Sequence, residues 1–247
     1  MINPLKPYTV KGTIWYQGEA NAHSVAQAQF YQTQLTDLVT SWRLDFNNPN
    51  MPFYVVQLAS FRAPQENPVE LKQYWPVTRD SMRKATDNLS NAAMAVAIDI
   101  GEAKNIHPKN KMEVGRRLSL QALKNDYRHD LVAAGPLYKS FEVVDNVILI
   151  DFNHKGSGLV AKSLINKGET KLQGFAIAGE DGEYVWAEAE IISQTNGWKF
   201  WQSEQIVKVY SPQIKMPKSV RYGWADNPTT INLYNEEGLP ASPFSTN

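Results

Sequence analysis

Cysteine is absent from the 247-residue chain, which excludes disulfides, a thiolate nucleophile and cysteine metal ligands and leaves the redox compartment unread. An excess of charge of one sign is absent too. Lys and Arg together number 25, matching the 25 Asp and Glu, so the electrostatic footprint of a protein that binds nucleic acid or an anionic membrane is lacking. Neither partner is expected. No stretch of about 18 apolar residues occurs, as a membrane-spanning helix requires, and Met1-Ile2-Asn3-Pro4-Leu5-Lys6-Pro7 lacks the basic and apolar regions of a secretory signal. Internal repeats and low-complexity tracts are also missing. What is present is an ordinary globular composition, 43% hydrophobic and 20% charged in 27.9 kDa, enough for one large domain or two modest ones.

The first half alternates strand-like and helix-like segments. A short apolar run from Gly12 to Gln17 leads into Val25, Ala28, Phe30, Tyr31, Leu35, Leu38, Val39 and Trp42 at helical spacing. A second buried strand is expected at Phe53 to Leu58, a helix from about Val69 to Lys84 and a third strand at Ala93 to Ile98. A further helix is expected to begin near Pro108, a residue that suits the first helical position, and to run to about Tyr127. Strands alternating with helices of this length argue for parallel βαβ units.

After about Asp130 the texture changes to short β-prone runs divided by turn residues. Asp145-Asn146, Asp181-Gly182 and Asn196-Gly197 read as hairpin turns, because Asn, Asp and Gly tolerate positive φ. The flanking runs Tyr138 to Val144, Val147 to Phe152, Phe175 to Ala178, Tyr184 to Ile192 and Ile206 to Tyr210 suit an antiparallel sandwich, and Lys155 to Lys171 reads as a loop. The expected fold is therefore α/β over residues 1–130, a partial flavodoxin-like parallel sheet with helices, followed by an antiparallel β-sandwich-like domain over 131–247.

Two blocks carry chemistry. His107 follows a strand and a loop, so its imidazole is expected over the C-terminal edge of the parallel sheet, where open α/β folds place a general base. A lone histidine is more often a capping or packing residue, and His23, His129 and His154, in polar surroundings, read as surface residues. The second block is Gln17-Gly18-Glu19 with Asn21. Amide donors at a strand end stabilise the oxyanion of ester hydrolysis without reorganising water, and Gln17 and Asn21 suit that role while Gly18 permits close backbone approach. Glu19 orients neighbouring donors, binds a sugar hydroxyl or serves as a structural acceptor. Taken alone, Gln-Gly-Glu is better read as a polar turn that caps the following helix.

These blocks, Trp15-Tyr16-Gln17-Gly18-Glu19-Ala20-Asn21 and Ile106-His107-Pro108 with Val114-Gly115-Arg116-Arg117, are joined by a long C-terminal signature. It runs from Gly174-Phe175 through Ala178-Gly179-Glu180-Asp181-Gly182, Val220-Arg221-Tyr222-Gly223-Trp224 and Tyr234-Asn235 to Glu237-Gly238-Leu239-Pro240-Ala241-Ser242-Pro243-Phe244. With it the chain resembles the sialate O-acetylesterase family, a branch of the SGNH hydrolases, from Gly12 almost to its end. The resemblance implies removal of O-acetyl groups from sialic acid by a serine nucleophile assisted by histidine, without metal or organic cofactor, in a secreted or periplasmic protein. His107 is then the catalytic base, and Gln17, Gly18 and Asn21 belong to the oxyanion block.

Two positions depart from the family pattern. The family serine lies in a block upstream of Met1 with no counterpart here, so the resemblance makes this chain the C-terminal part of its parent, nearly inactive alone and partnered by the missing N-terminal segment. An aspartate commonly precedes the Ile-His-Pro of the family, whereas this chain has Asn105. Asparagine holds an imidazole through its carbonyl but does not stabilise an imidazolium, and Glu102 or Asp99 would have to fold back to do so. Ser60 and Ser157 lack the strand-turn-helix elbow of a nucleophile and read as a cap and a loop residue. The competing reading is an inactive carbohydrate-binding or structural module, with Trp186, Trp198, Trp201 and Trp224 available to stack on sugars. An esterase for acetylated xylan or another glycan shares the mechanism. An uncovered sheet edge would also favour a homo-oligomer.

Overall fold

Three parallel strands, β1 (Thr13–Trp15), β2 (Phe53–Val56) and β3 (Ala92–Ala95), lie side by side in chain order. The computed structural model describes residues 2–70, 72–162, 171–195 and 203–247. Helices α1 (Val25–Asp45), α2 (Tyr74–Asn88) and α3 (Lys111–Asn125) supply the crossovers and the outer layers. Because successive strand side chains point to opposite faces, the four buried residues of β2 serve two cores. Phe53 and Val55 meet Tyr31, Leu35 and Val39 of α1 and Met82 and Ala85 of α2. On the other face Tyr54 and Val56 meet Val114 and Leu118 of α3. Ile14 is on the α3 side of β1, in register with Tyr54, and is 68% exposed. The outer edge of β1 pairs with no strand among the described residues.

The helix boundaries shift from those expected for local reasons. Helix α3 begins at Lys111 rather than near Pro108, because the Asn110 side chain accepts the Glu113 N–H at 3.1 Å and an asparagine N-cap satisfies a donor that proline cannot. Helix α2 begins at Tyr74, five residues later than the expected start, with Pro76 in its first turn, where a missing amide is harmless. Glu70 is drawn out of any helical turn to accept the Asp226 N–H at 3.0 Å.

The second half contains β4 (Leu137–Val144), β5 (Val147–Asn153), β6 (Leu159–Ala161), β7 (Lys171–Leu172), β8 (Phe175–Ala178), β9 (Tyr184–Trp186), β10 (Glu188–Thr195), β11 (Ser203–Tyr210), β12 (Ser219–Tyr222), β13 (Leu233–Asn235) and β14 (Phe244–Ser245). An antiparallel sheet in the order β4-β5-β11-β10-β7 and a second in the order β14-β12-β8-β9 share one apolar core. Ile148, Ile150, Phe152, Val207 and Val209 pack there with Phe175, Ile177, Val220, Tyr222 and Phe244. The β4-β5 turn has Asp145 at φ 53° and the β8-β9 turn Gly182 at φ 74°, the left-handed geometry expected of them. Asn196-Gly197, Trp198 and Trp201 lie outside the described residues. The run Tyr184 to Ile192 is two strands in different sheets, divided at Ala187, whose N–H donates to Phe175 O. The segment expected as a loop from Lys155 carries β6, paired with β13; residues 163–170 lie outside the described part.

Buried polar bonds join the halves. Arg79 of α2 is fully buried, and its guanidinium donates to the carbonyls of Leu58 (2.8 Å), Ala59 (2.9 Å), Ala225 (2.6 Å) and Asp226 (3.0 Å). Gln57 donates to Ser242 Oγ at 2.9 Å, and Tyr234 to Asp99 at 3.1 Å. A division near residue 130 remains a proposal resting on the change of sheet type. Two outcomes follow. Arg79→Met leaves the carbonyls of Leu58 and Ala225 without a donor among the described residues, while those of Ala59 and Asp226 keep Trp75 Nε1 and the Phe61 N–H, and is expected to cost about 3 kcal/mol or more in urea unfolding. Hydrogen bonds from Arg116, then from Arg117, hold the Glu113 carboxyl down at about 2. A lowered folded pKa contributes stability that is present above the usual carboxylate range and lost as pH falls through the folded value. Glu113→Gln should therefore flatten the decline in stability between about pH 4.5 and 2, measured by denaturant unfolding across that range.

Candidate active site

All three parallel strands end on one edge of the sheet, and the loops leaving that edge carry the Gln17 to Asn21 block, Ser60, Asn105 and His107. The first loop follows β1. Gly18 is buried at φ 155°, and a Cβ there would overlap Met82 Cε and touch Leu58, so only glycine lets this turn settle on β2 and α2. Its neighbours form a directed chain of hydrogen bonds. Trp15 Nε1 donates to Tyr31 Oη at 3.3 Å, and Tyr31 donates to Gln17 O at 2.8 Å and Gln17 Oε1 at 3.0 Å. Gln17 Nε2 then donates to Asn21 Oδ1 at 2.9 Å, and Asn21 Nδ2 to Gln34 Oε1 at 2.9 Å. The amide of Gln17 is thus fixed in orientation. Glu19 begins a single 3-10 turn to Asn21, and the N–H groups of Gly18 and Glu19 donate to no acceptor among the described residues. Burial, then Glu19, pushes the Tyr16 hydroxyl up to about 12, so it stays protonated at neutral pH.

The third loop brings His107. Gly101 sits against the backbone of Ser60, where a Cβ would not fit, and Arg62 N–H donates to Ala103 O at 3.0 Å, so the loops after β2 and β3 are tied together. Lys111, four residues beyond His107, places Nζ 4.9 Å from the centre of the Tyr16 ring, and Ile106 packs in the same apolar cluster as Trp15. These contacts bring the Gln17 and His107 blocks to one sheet edge. His107 is exposed, three residues before the N-cap of α3 rather than at the helix start, and its imidazole makes no hydrogen bond among the described residues.

Neighbouring groups take roles other than those weighed from sequence. Asn105 Oδ1 accepts the backbone N–H of His107 at 3.0 Å, the local turn that Asn forms readily, so this oxygen shapes the loop instead of holding the ring. Asp99 is claimed by Arg117, at 2.6 and 2.8 Å, and by Tyr234. Glu102 accepts from the Lys109 N–H at 2.7 Å. Ser60 is buried and donates to Ile98 O at 2.5 Å, whereas Ser157 donates to Glu237 at 2.7 Å; neither is presented as a nucleophile. Trp224 is 8% exposed and bonds Gln73, which makes it a packing residue, while Trp186 is 41% exposed. Arg62 and its partner Asp226 were not legible, because 164 residues separate them.

A model of carbohydrate esterases described as sialic acid-specific acetylesterase matches residues 2–124. The chain belongs to this family. Sialate O-acetylesterase of Rattus norvegicus is 25% identical over 99% of the chain, and that of Mus musculus 31% identical over 62%. The matched stretches cover 46% and 30% of those proteins, so the chain spans less than half the length of these relatives. A carbohydrate acetylesterase from Xanthomonas citri aligns with the whole chain at a TM-score of 0.85 and 36% identity, covering 52% of that structure. The mixed α/β architecture is thus that of a carbohydrate esterase. Among the described residues, no helix is long and apolar enough to cross a membrane. Gly18→Ala should disrupt the Gln17-Gly18-Glu19 turn, with a loss of about 1–3 kcal/mol in thermal unfolding from overlap and unfavourable φ.

Proposed function

We propose that this chain supplies the histidine and oxyanion corners of an esterase that removes O-acetyl groups from sialic acid. The observation that carries the reading is the convergence of the two loops, with the unbonded N–H groups of Gly18 and Glu19 and the exposed imidazole of His107 at one sheet edge. In this reading a serine from a segment preceding these residues in the parent protein attacks the acetyl carbonyl. His107 takes the hydroxyl proton and passes it to the departing sugar oxygen, and water then releases acetate. Backbone N–H groups of the Gly18 turn and the oriented Gln17 amide receive the developing oxyanion, with Asn21 fixing Gln17. Glu19 lies beside Tyr16 and is held for substrate hydroxyls. No protein carboxylate contacts the His107 ring among the described residues, which supports low activity of the chain alone.

Location in a secreted or periplasmic compartment and assembly through the open edge of β1, with the preceding segment or a second copy, belong to the same proposal. A second reading, an acetylesterase for a different glycan, is favoured by the likeness to the Xanthomonas citri carbohydrate acetylesterase over the whole chain. Acetate release from O-acetylated N-acetylneuraminic acid tests the first. The purified chain should show almost no turnover, and adding the preceding segment of the parent should restore it, with His107→Ala abolishing the gain. Brisk turnover by the chain alone that survives His107→Ala would falsify the assignment. Faster release from acetylated xylan than from the sialic acid ester would shift the substrate to the second reading.

A further inference from the structure

Between the loops after β1 and β2 lies a cleft of about 710 Å³, lined by Ala22, His23, Arg62, Glu70, Tyr74 and Asp226. Ala22 and His23 continue directly from the Gln17 to Asn21 block, and Arg62 is bonded through its backbone to the loop of His107. The cleft therefore adjoins the loops that carry the candidate site, while its lining contains none of Gln17, Gly18, Glu19, Asn21 and His107. Arg62 has φ 80°, a left-handed conformation that a bulky side chain adopts at a cost and that concentrates at functional positions.

The guanidinium is positioned on three sides. Nη1 is 2.6 Å from Asp226 Oδ2, and Asp226 is 6% exposed. Its carbon lies 5.6 Å from the Trp75 ring centre and 5.9 Å from that of Phe61. The remaining edge, Nε with Nη2, donates to no acceptor among the described residues, and the side chain keeps 39% of its surface exposed. An arginine oriented by a buried carboxylate and by aromatic rings, with one planar edge open to a cleft, presents two parallel donors to a bidentate anion. Glu70 shares the cleft with Arg62 and is bonded to the Asp226 N–H. Lys72 adds a second cation at the rim, opposed by exposed Glu66.

We propose that Arg62 is a specificity-determining residue that receives the carboxylate of an acidic sugar through Nε and Nη2. The inference rests on the esterase reading and adds the residue that selects for the acidic group of the sugar. A neutral sugar would leave the open guanidinium edge in water and gain nothing from its orientation.

Ligand-observed NMR titration of the chain with N-acetylneuraminic acid and with its C1 methyl ester tests this without requiring hydrolysis. The free acid should bind on the order of tenfold tighter than the ester, as expected for two charge-assisted hydrogen bonds partly offset by desolvation. Arg62→Ala should remove that preference while leaving the far-UV circular dichroism unchanged, and Arg62→Lys should retain part of it. Equal binding of acid and ester by the unaltered chain, binding of neither, or a preference that survives Arg62→Ala would overturn the proposal. If Arg62→Ala fails to fold because Asp226 loses its partner, the acid-to-ester comparison in the unaltered chain still decides. Absence of acetate release even when the preceding segment of the parent is added would overturn the esterase reading and leave this comparison intact.

Discussion

The structure turns on a single buried cation. Arg79 has no carboxylate bonded to its guanidinium among the described residues and is instead solvated by four main-chain carbonyls, two just after β2 and two in the segment at residues 225–226. Desolvation pulls its pKa down, opposed by the fields of Asp226, Glu70 and Tyr16. Taking that charge out of water is costly unless every donor finds a partner, so the carbonyls must converge on it. That requirement docks the chain's C-terminal region onto the parallel sheet. It also places Asp226 beside Arg62 and holds the loop after β2 where the loops after β1 and β3 can close on it.

From that anchor the candidate site follows as a set of close approaches. A side chain at Gly18 would push the first loop off Met82 of α2, and one at Gly101 would push the third loop off the second at Ser60. The chain of hydrogen bonds from Trp15 through Tyr31 and Gln17 to Asn21 and Gln34 crosses from β1 into α1, fixing the first loop to the helix that covers its sheet. The His107 loop is held by its own turn at Asn105, by the cap of α3 and by Lys111 on Tyr16. The oriented amides are the more rigid half of the arrangement, and the exposed imidazole the freer half. Proton transfer needs a defined geometry between base and nucleophile, so in the proposed reaction the exposed His107 ring would require a group that orients it.

Much of the architecture was legible from pattern alone. Apolar runs of four to six residues alternating with helical periodicity marked the parallel sheet, and Asp145 and Gly182 marked two hairpin turns, because positive φ is a property of single residues. The site blocks were legible through their likeness to a family. Their neighbours were not. Asp99 looked available beside the histidine loop until Arg117 and Tyr234 claimed it, and Tyr234 lies 135 residues away. The run from Tyr184 to Ile192 read as one strand because its β propensity is unbroken, yet it serves two sheets that part at Ala187.

By itself, the sequence determined the order of the three parallel strands and their helices, two of the hairpin turns and the family, since each depends on short-range periodicity, backbone preference or a contiguous motif. Tertiary structure alone decided which polar groups are already occupied. The partners of Arg62, Arg79, Asp99 and Gln57 come from distant parts of the chain, and a hydrogen bond between residues far apart in sequence leaves no local periodicity to read. That distinction separates His107 and the unbonded N–H groups of the Gly18 turn from the carboxylates and serines that resemble catalytic groups on paper but serve as braces.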